Sequence, residues 1–271
     1  MVSTLSIAGM FFTLLVSIGL PAALLLIAKK KAHAKLFPAL VGAGIFIIAA
    51  LILERIVHMV VFTAFPTILS NNVLYIIYGC LAAGIFEETG RLCGFYFLRK
   101  REKGETEKVS SAFVYGVGHG GVEAVLLVGF VCISNLVLSF TLNANGMDAI
   151  TAGMTGDALK VAQQQLSILT DTPAAMYFMA GFERIFAIVL QISLSILVWM
   201  AAEKYVSKLW FVGAVFLHAA ANLPAAFYQT GILTNVYLME GLTLLAALLV
   251  CLVVFVLYRA SVQKRNTIAE G

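Results

Sequence analysis

Three short polar motifs interrupt an otherwise apolar chain, and each carries groups that move protons. The first is Phe86-Glu87-Glu88-Thr89-Gly90-Arg91, in which Arg91 follows Glu87 by four residues and Glu88 by three. On a helix both spacings bring the side chains together, so the arginine reaches back to either carboxylate. One arginine neutralises one glutamate and leaves the other in need of a proton, a hydrogen bond or a task. The second motif, Tyr115-Gly116-Val117-Gly118-His119-Gly120-Gly121-Val122-Glu123, sets His119 and Glu123 on one helical face. The third, His218-Ala219-Ala220-Ala221-Asn222, does the same for an imidazole and an amide. A lone Glu-Arg pair reads as a structural ion pair. Two glutamates joined by histidines and an amide are what general acid–base chemistry needs: a base to activate water and donors for a developing oxyanion.

The elements that must hold these groups are membrane spans. The chain has 271 residues, of which 61% are hydrophobic and 12% charged, with a mean hydropathy of +0.98. No soluble domain has that balance, so the expected class is all-α, a polytopic transmembrane bundle forming a single domain over 1–271. Seven spans are expected, over about 5–28, 36–62, 72–98, 109–141, 173–202, 209–228 and 236–258. Even on the lenient insertion scale an ionised group near a helix centre costs about 2.5–3.5 kcal/mol, so such groups are rare and face the bundle interior.

Loop charge sets the orientation. Basic clusters at Lys29–Lys35, Arg99–Lys108, Lys204–Lys208 and Arg259–Arg265 fall on one side if the spans alternate. The other side, Thr63–Asn71, Leu142–Thr172 and Gln229–Asn235, holds one lysine. The positive-inside rule then predicts the N-terminus outside and the C-terminus, with Gly271, in the cytoplasm. No basic residue precedes the first apolar run, which argues for a first span and against a cleavable signal. The net charge of +4 is dispersed through short loops, which excludes a nucleic-acid surface. Cys80, Cys93, Cys132 and Cys251 lie in apolar runs without C-x-x-C spacing and read as buried thiols. Within the long outer loop, Asp157–Leu169 is expected to form a short helix on the outer face. Glycines at Gly84, Gly90 and Gly94 and at Gly116, Gly118, Gly120 and Gly121 predict close packing of the third span on the fourth.

Depth ties the motifs together. At ~1.5 Å rise per residue, Glu87, His119 and His218 lie roughly 16, 15 and 13 Å from the cytoplasmic ends of their spans. Three helices thus present carboxylate and imidazole at one level. A second polar set, Glu54, Arg55 and His58 with Glu183 and Arg184, falls at about 28 Å, in the outer half. There Glu54 is expected to pair with Arg184 and Arg55 with Glu183, as structural cross-links or as the lining of a polar entrance.

The order of a paired Glu with Arg, then aromatic-x-x-x-His, then His-x-x-x-Asn resembles the CAAX-protease and bacteriocin-processing superfamily of intramembrane proteases. The forms E-E-T-G-R and G-H-G-G-V-E-A are similar to its YhfC branch. The likeness covers roughly Ala82 to Asn222. It implies a glutamate-activated water that attacks a peptide bond within the membrane, with Glu87 or Glu88 as base, His119 as a second acid–base group, and His218 and Asn222 holding the oxyanion. Arg91 and Glu123 would support them. The superfamily's first motif is usually E-E-x-x-x-R, and here Arg91 follows Glu88 after two residues. Aligning the glutamates makes Glu87 the base, whereas aligning the arginine makes it the pairing residue. Tyr115 stands where the superfamily commonly has Phe.

The chemistry has two forms. Without a metal the glutamate alone activates water, and no cofactor is needed. With zinc, His119, Glu123 and His218 would form a two-His, one-carboxylate site with an open position. The implied partners are a membrane protein or peptide substrate and the lipid bilayer, in a multi-pass protein of the bacterial plasma membrane. The competing classes are a non-catalytic membrane binding or maturation protein with the same fold, and a transporter or proton relay. The last is disfavoured because no repeated half with broken helices is found.

Overall fold

Apolar runs of this length must satisfy their backbone hydrogen bonds internally in lipid, which for isolated segments means helices. The computed structural model describes residues 1–101 and 108–270, and every described regular element is helical. Six positions of the Arg99–Lys108 cluster, 102–107, and Gly271 lie outside the described residues. Seven helices are long and apolar enough to cross a membrane. They are α1 (Thr4–Lys31), α2 (Phe37–Ala64), α3 (Asn72–Arg101), α4 (Val109–Ile150), α6 (Ala174–Ala202), α7 (Leu209–Gln229) and α8, whose apolar run is Val236–Thr267. Helix α5 (Gly156–Asp171) lies between α4 and α6 and is not among them.

The spans agree with the hydropathy reading, and the differences are at helix ends. Helix α4 runs past Thr141, because Leu142-Asn143-Ala144-Asn145 keep helical geometry until Gly146. There φ of 77° and ψ of 170° break the helix in a conformation open to glycine. Helix α8 continues beyond Tyr258, since the polar stretch that follows leaves the apolar run without containing a helix breaker. Helices α2 and α4 each contain a wider π-helical stretch, Ile47–Glu54 and Val125–Gly129.

The chain forms two compact units, one of Met1–Ala22 with Glu123–Ile185 and one of Ala23–Val122 with Phe186–Gly271. In the first, Val2, Met10, Leu136, Leu142, Leu166 and Leu169 form the core. Asn143 clamps the N-terminal strand of chain there, accepting from Val2 N at 2.7 Å and donating to Val2 O at 2.8 Å. Helix α5 buries Leu166 and Leu169 in that core and leaves Val161 and Ile168 exposed.

In the second unit the core gathers Phe95, Leu98, Tyr115, Leu194, Leu197 and Trp199 from α3, α4 and α6. Its glycines set helix spacing, but mostly between other pairs than the third and fourth spans. A Cβ at Gly118 would strike the backbone carbonyl of Ala39, so α4 sits directly on α2. At Gly84 it would lie 2.6 Å from the carbonyl of Val215, which places α3 against α7. Gly94, facing the Tyr115 ring, serves the α3–α4 contact in the expected way. Apolar side chains such as Ile48, Ile52, Leu53, Leu248 and Leu252 point outward, as a lipid-facing surface requires.

Candidate active site

Helix α3 carries Glu87, Glu88 and Arg91 on its buried side, and the close α3–α7 approach brings His218 over them. Glu88, Arg91 and His119 are fully buried, with His218 at 2% and Glu87 at 7% exposure. The three motifs therefore converge, as their depths predict.

The two glutamates occupy different surroundings. Glu88 Oε2 forms an ion pair with Arg91 Nε at 3.0 Å, at an angle away from that of a straight hydrogen bond. Its Oε1 lies 2.7 Å from His218 Nδ1. Glu87 Oε2 lies 3.0 Å from His119 Nε2 and only 3.9 Å from Arg91 Nη2. Its Oε1 faces His218 Nε2, also at 3.9 Å, too far for a direct hydrogen bond.

Partner chemistry assigns the protons. An ionised carboxylate only accepts and a guanidinium only donates. His218 Nδ1–H therefore donates to Glu88, which leaves Nε2 bare in the neutral ring. His119 Nε2 is 3.0 Å from Glu87 and 3.4 Å from Arg91 Nη2. It bonds one or the other, and the shorter contact makes it a donor to Glu87. The His119 ring is held by Phe46, edge-on at 5.2 Å, and by Tyr115, stacked at 6.2 Å.

Helix α6 contributes two residues that the motif reading passed over. Arg91 Nη1 donates to the carbonyl of Gln191 at 2.7 Å and to Ser195 Oγ at 2.5 Å. Arg91 Nη2 donates to Gln191 Oε1 at 2.5 Å, and Gln191 Nε2 donates to Glu87 Oε2 at 3.0 Å. Ser195 Oγ in turn donates to the Gln191 carbonyl at 2.7 Å. The sequence carries a signal for them: a Gln and a Ser four apart on one face of an apolar span, the Gln seven residues past Arg184. In that span 72% of the apolar window is buried, so neither side chain could turn to lipid.

Not every expected residue joins the cluster. Asn222 lies one turn beyond His218 on α7, half-buried, and no hydrogen bond to its side chain is seen among the described residues. Glu123 meets Arg184 Nη1 at 3.4 Å in the other unit, where Arg184 Nη2 also reaches Glu183 at 2.5 Å. Glu54, expected to face Arg184, instead lies 3.1 Å from His58 Nε2, its neighbour one turn on. His58 Nδ1 lies 2.8 Å from Tyr78 Oη. The short range of an i,i+4 pair on one helix decides that partner. Arg55 stands on the outside of α2.

The zinc set fares differently from the acid–base set. Among the described residues no three His, Cys, Asp or Glu side chains gather so as to hold an ion. Glu123 is engaged with Arg184. The imidazole nitrogens nearest Glu87 and Glu88 meet carboxylate oxygens at hydrogen-bond distance, and the Arg91 guanidinium stands 3.4 Å from His119 Nε2. A cation placed there would stand beside that guanidinium as well as the two carboxylates.

Seven helices long and apolar enough to cross a membrane, with a buried cluster of carboxylates, imidazoles and a guanidinium in the second unit, define a multi-pass membrane protein. Residues 12–243 match the family model described as YhfC intramembrane metalloprotease. The chain is also 36% identical over 234 residues to the uncharacterized membrane protein YhfC of Bacillus subtilis (strain 168), covering 85% of this chain and 88% of that protein. The chain belongs to the YhfC family, and it is a multi-pass protein of the bacterial cell membrane. No solved structure matches it.

Proposed function

We propose that this chain is an intramembrane endopeptidase that cleaves a membrane-associated protein or peptide with water activated by Glu87. The family description supports the class of reaction. The observation that carries the mechanism is the asymmetry of Glu87: Oε2 is held by His119 and Gln191, while Oε1 faces His218 Nε2 across 3.9 Å. Two acceptors at that separation do not bond each other, but both accept from one water seated beside them.

Such a water gives one hydrogen bond to Glu87 Oε1 and one to His218 Nε2, which aims its lone pair at a peptide carbonyl. Glu87 takes the proton as the C–O bond forms, and returns it to the amide nitrogen as the C–N bond breaks. Asn222, one turn beyond His218 on α7, is assigned as the donor for the oxyanion. Glu88 keeps its charge on Arg91 and fixes the tautomer of His218, so it is the anchor and not the base. The assignment uses only groups of the chain, and no step runs through a metal.

The test is proteomics of shed and retained membrane peptides from cells expressing the wild type or Glu87→Gln, repeated on isolated membranes with 1,10-phenanthroline. Peptides that appear with the wild type, vanish with Glu87→Gln and persist with the chelator are expected. Equal peptide sets for both proteins would refute the protease reading and favour a binding protein. Chelator-sensitive cleavage would refute the metal-free mechanism alone.

A further inference from the structure

Gln191 stands between the Arg91 guanidinium and the Glu87 carboxylate. Its Oε1 accepts from Arg91 Nη2 at 2.5 Å and its Nε2 donates to Glu87 Oε2 at 3.0 Å, whereas Arg91 Nη2 and Glu87 Oε2 themselves are 3.9 Å apart. The orientation of the amide follows from its partners, because a guanidinium offers only donors and an ionised carboxylate only acceptors. Gln191 is 3% exposed, and its backbone carbonyl is also bound by Arg91 Nη1 and Ser195 Oγ. Gly120 of α4 gives its side chain room: a Cβ there would come within 2.9 Å of Gln191 Cβ.

We infer that Gln191 is a positioning residue that assigns the two glutamates their separate roles. The inference rests on the protease reading above. With the amide in place, Arg91 makes its close ion pair with Glu88 alone, stands 3.9 Å from Glu87 and reaches it by hydrogen bonds only through a neutral group. Glu87 therefore escapes a close guanidinium pair, which would hold its proton-accepting oxygen away from water. The donor end ties down Oε2 and leaves Oε1 turned to His218 Nε2. The acceptor end supports Arg91, and through it Glu88. The two ends have different tasks, and substitutions separate them.

Gln191→Glu keeps an acceptor for Arg91 but loses the donor to Glu87 and sets a like charge beside it. Gln191→Met keeps the length and loses both ends. If Gln191 only supported Arg91, Gln191→Glu would stay active and Gln191→Met would not. Positioning of Glu87 requires that both lose turnover, by about 100-fold for a reacting group displaced on the order of 1 Å, with KM changed less than threefold. Ser193→Ala, on the same helix with its hydroxyl donating to the Val189 carbonyl, serves as the control expected to keep the wild-type rate. Rates are read in detergent with an internally quenched random hexapeptide library.

A second readout needs no turnover. Infrared difference spectra of wild type against Glu87→Gln isolate the Glu87 carboxylate stretch, which should shift in Gln191→Glu and Gln191→Met and not in Ser193→Ala. An unshifted band, or Gln191→Glu cleaving at the wild-type rate, overturns the inference. If the wild type and Glu87→Gln cleave alike, the protease reading fails instead, and the band still decides whether Gln191 orients Glu87.

Discussion

Glu88→Gln is the substitution on which the anchor assignment depends. Both side chains of the Glu88–Arg91 pair are wholly buried, so no solvent screening reduces the loss when the charge is removed. Breaking a buried pair by removing one partner costs about 3–5 kcal/mol. Arg91 keeps Glu87 as a more distant counter-charge at 3.9 Å, so the low end, about 3 kcal/mol, is expected. For a chain of this size that corresponds to a fall in melting temperature of roughly 6–12 °C. The motif reading alone would have this variant fold normally and lose only activity. The geometry predicts both effects.

The chemical effect follows from hydrogen-bond inventory. A glutamine at this position turns its oxygen to Arg91 Nε and its NH2 to His218 Nδ1. Nδ1 then has to accept, so the ring proton moves to Nε2, the atom that should receive a hydrogen bond from the attacking water. An inverted tautomer of this kind in another hydrolytic centre costs about ten-thousand-fold in turnover. Cys93 and Cys251 are exposed, against the expectation of four buried thiols, so thermal unfolding in detergent, followed by a thiol-reactive dye at buried Cys80 and Cys132 in a Cys93→Ser/Cys251→Ser background, measures the first effect. Nitrogen-15 spectra of labelled histidine identify the tautomer of His218. A melting temperature within about 2 °C of wild type, or an Nδ1–H that survives the substitution, would refute the argument.

Two further outcomes are expected. Cysteines placed singly in Leu142–Thr172 should react with an impermeant thiol reagent on intact cells, and cysteines in Arg99–Lys108 should not, as the positive-inside rule predicts; the opposite pattern reverses the orientation. Gly118→Ala should lower the melting temperature, because its Cβ meets the Ala39 backbone carbonyl and backbone gives way at a cost of typically 1–3 kcal/mol. Gly44→Ala, with open space around its position, should not, and equal melting of the two would show that the α2–α4 contact is not tight.

The spans and the meeting of Glu87, Glu88, Arg91, His119 and His218 were legible because both follow from one-dimensional quantities. Apolar run length fixes the spans, and rise per residue fixes depth. Rotation about the helix axis is a different matter. The glycines signalled close helix contact, yet the sequence does not say which neighbour each one faces. Gly118 turns to α2 and Gly84 to α7, whereas Gly94 meets α4 as the α3–α4 seam requires. The same lack of azimuth hid Gln191. Its depth could be counted, but the sequence does not say that its amide points at a guanidinium. A common depth counted from the sequence for Glu54 and Arg184 does not make them partners. Each has a carboxylate or imidazole within one turn of helix or on a facing one, and the shorter reach decides.

Arg91 makes the site and the fold of its unit a single problem. It is bound to Glu88 on its own helix, to Gln191 and Ser195 on α6, and it stands beside His119 on α4. A guanidinium with no exposure requires every one of these groups, since an unpaired buried charge would exceed the gain from any one contact. The polar groups that a water-activating centre needs are thus the ones that hold three helices in register. Lysine at this position would keep the charge but bring three donors from one point, unable to span Glu88 Oε2, the Gln191 carbonyl and Gln191 Oε1 at once. Its loss would loosen α6 from α3 and free Gln191, and Glu87 would lose the donor that turns Oε1 toward His218. Substitutions in this centre therefore separate into those that move the anchor, which affect folding and turnover together, and those at Glu87 itself, which affect turnover alone.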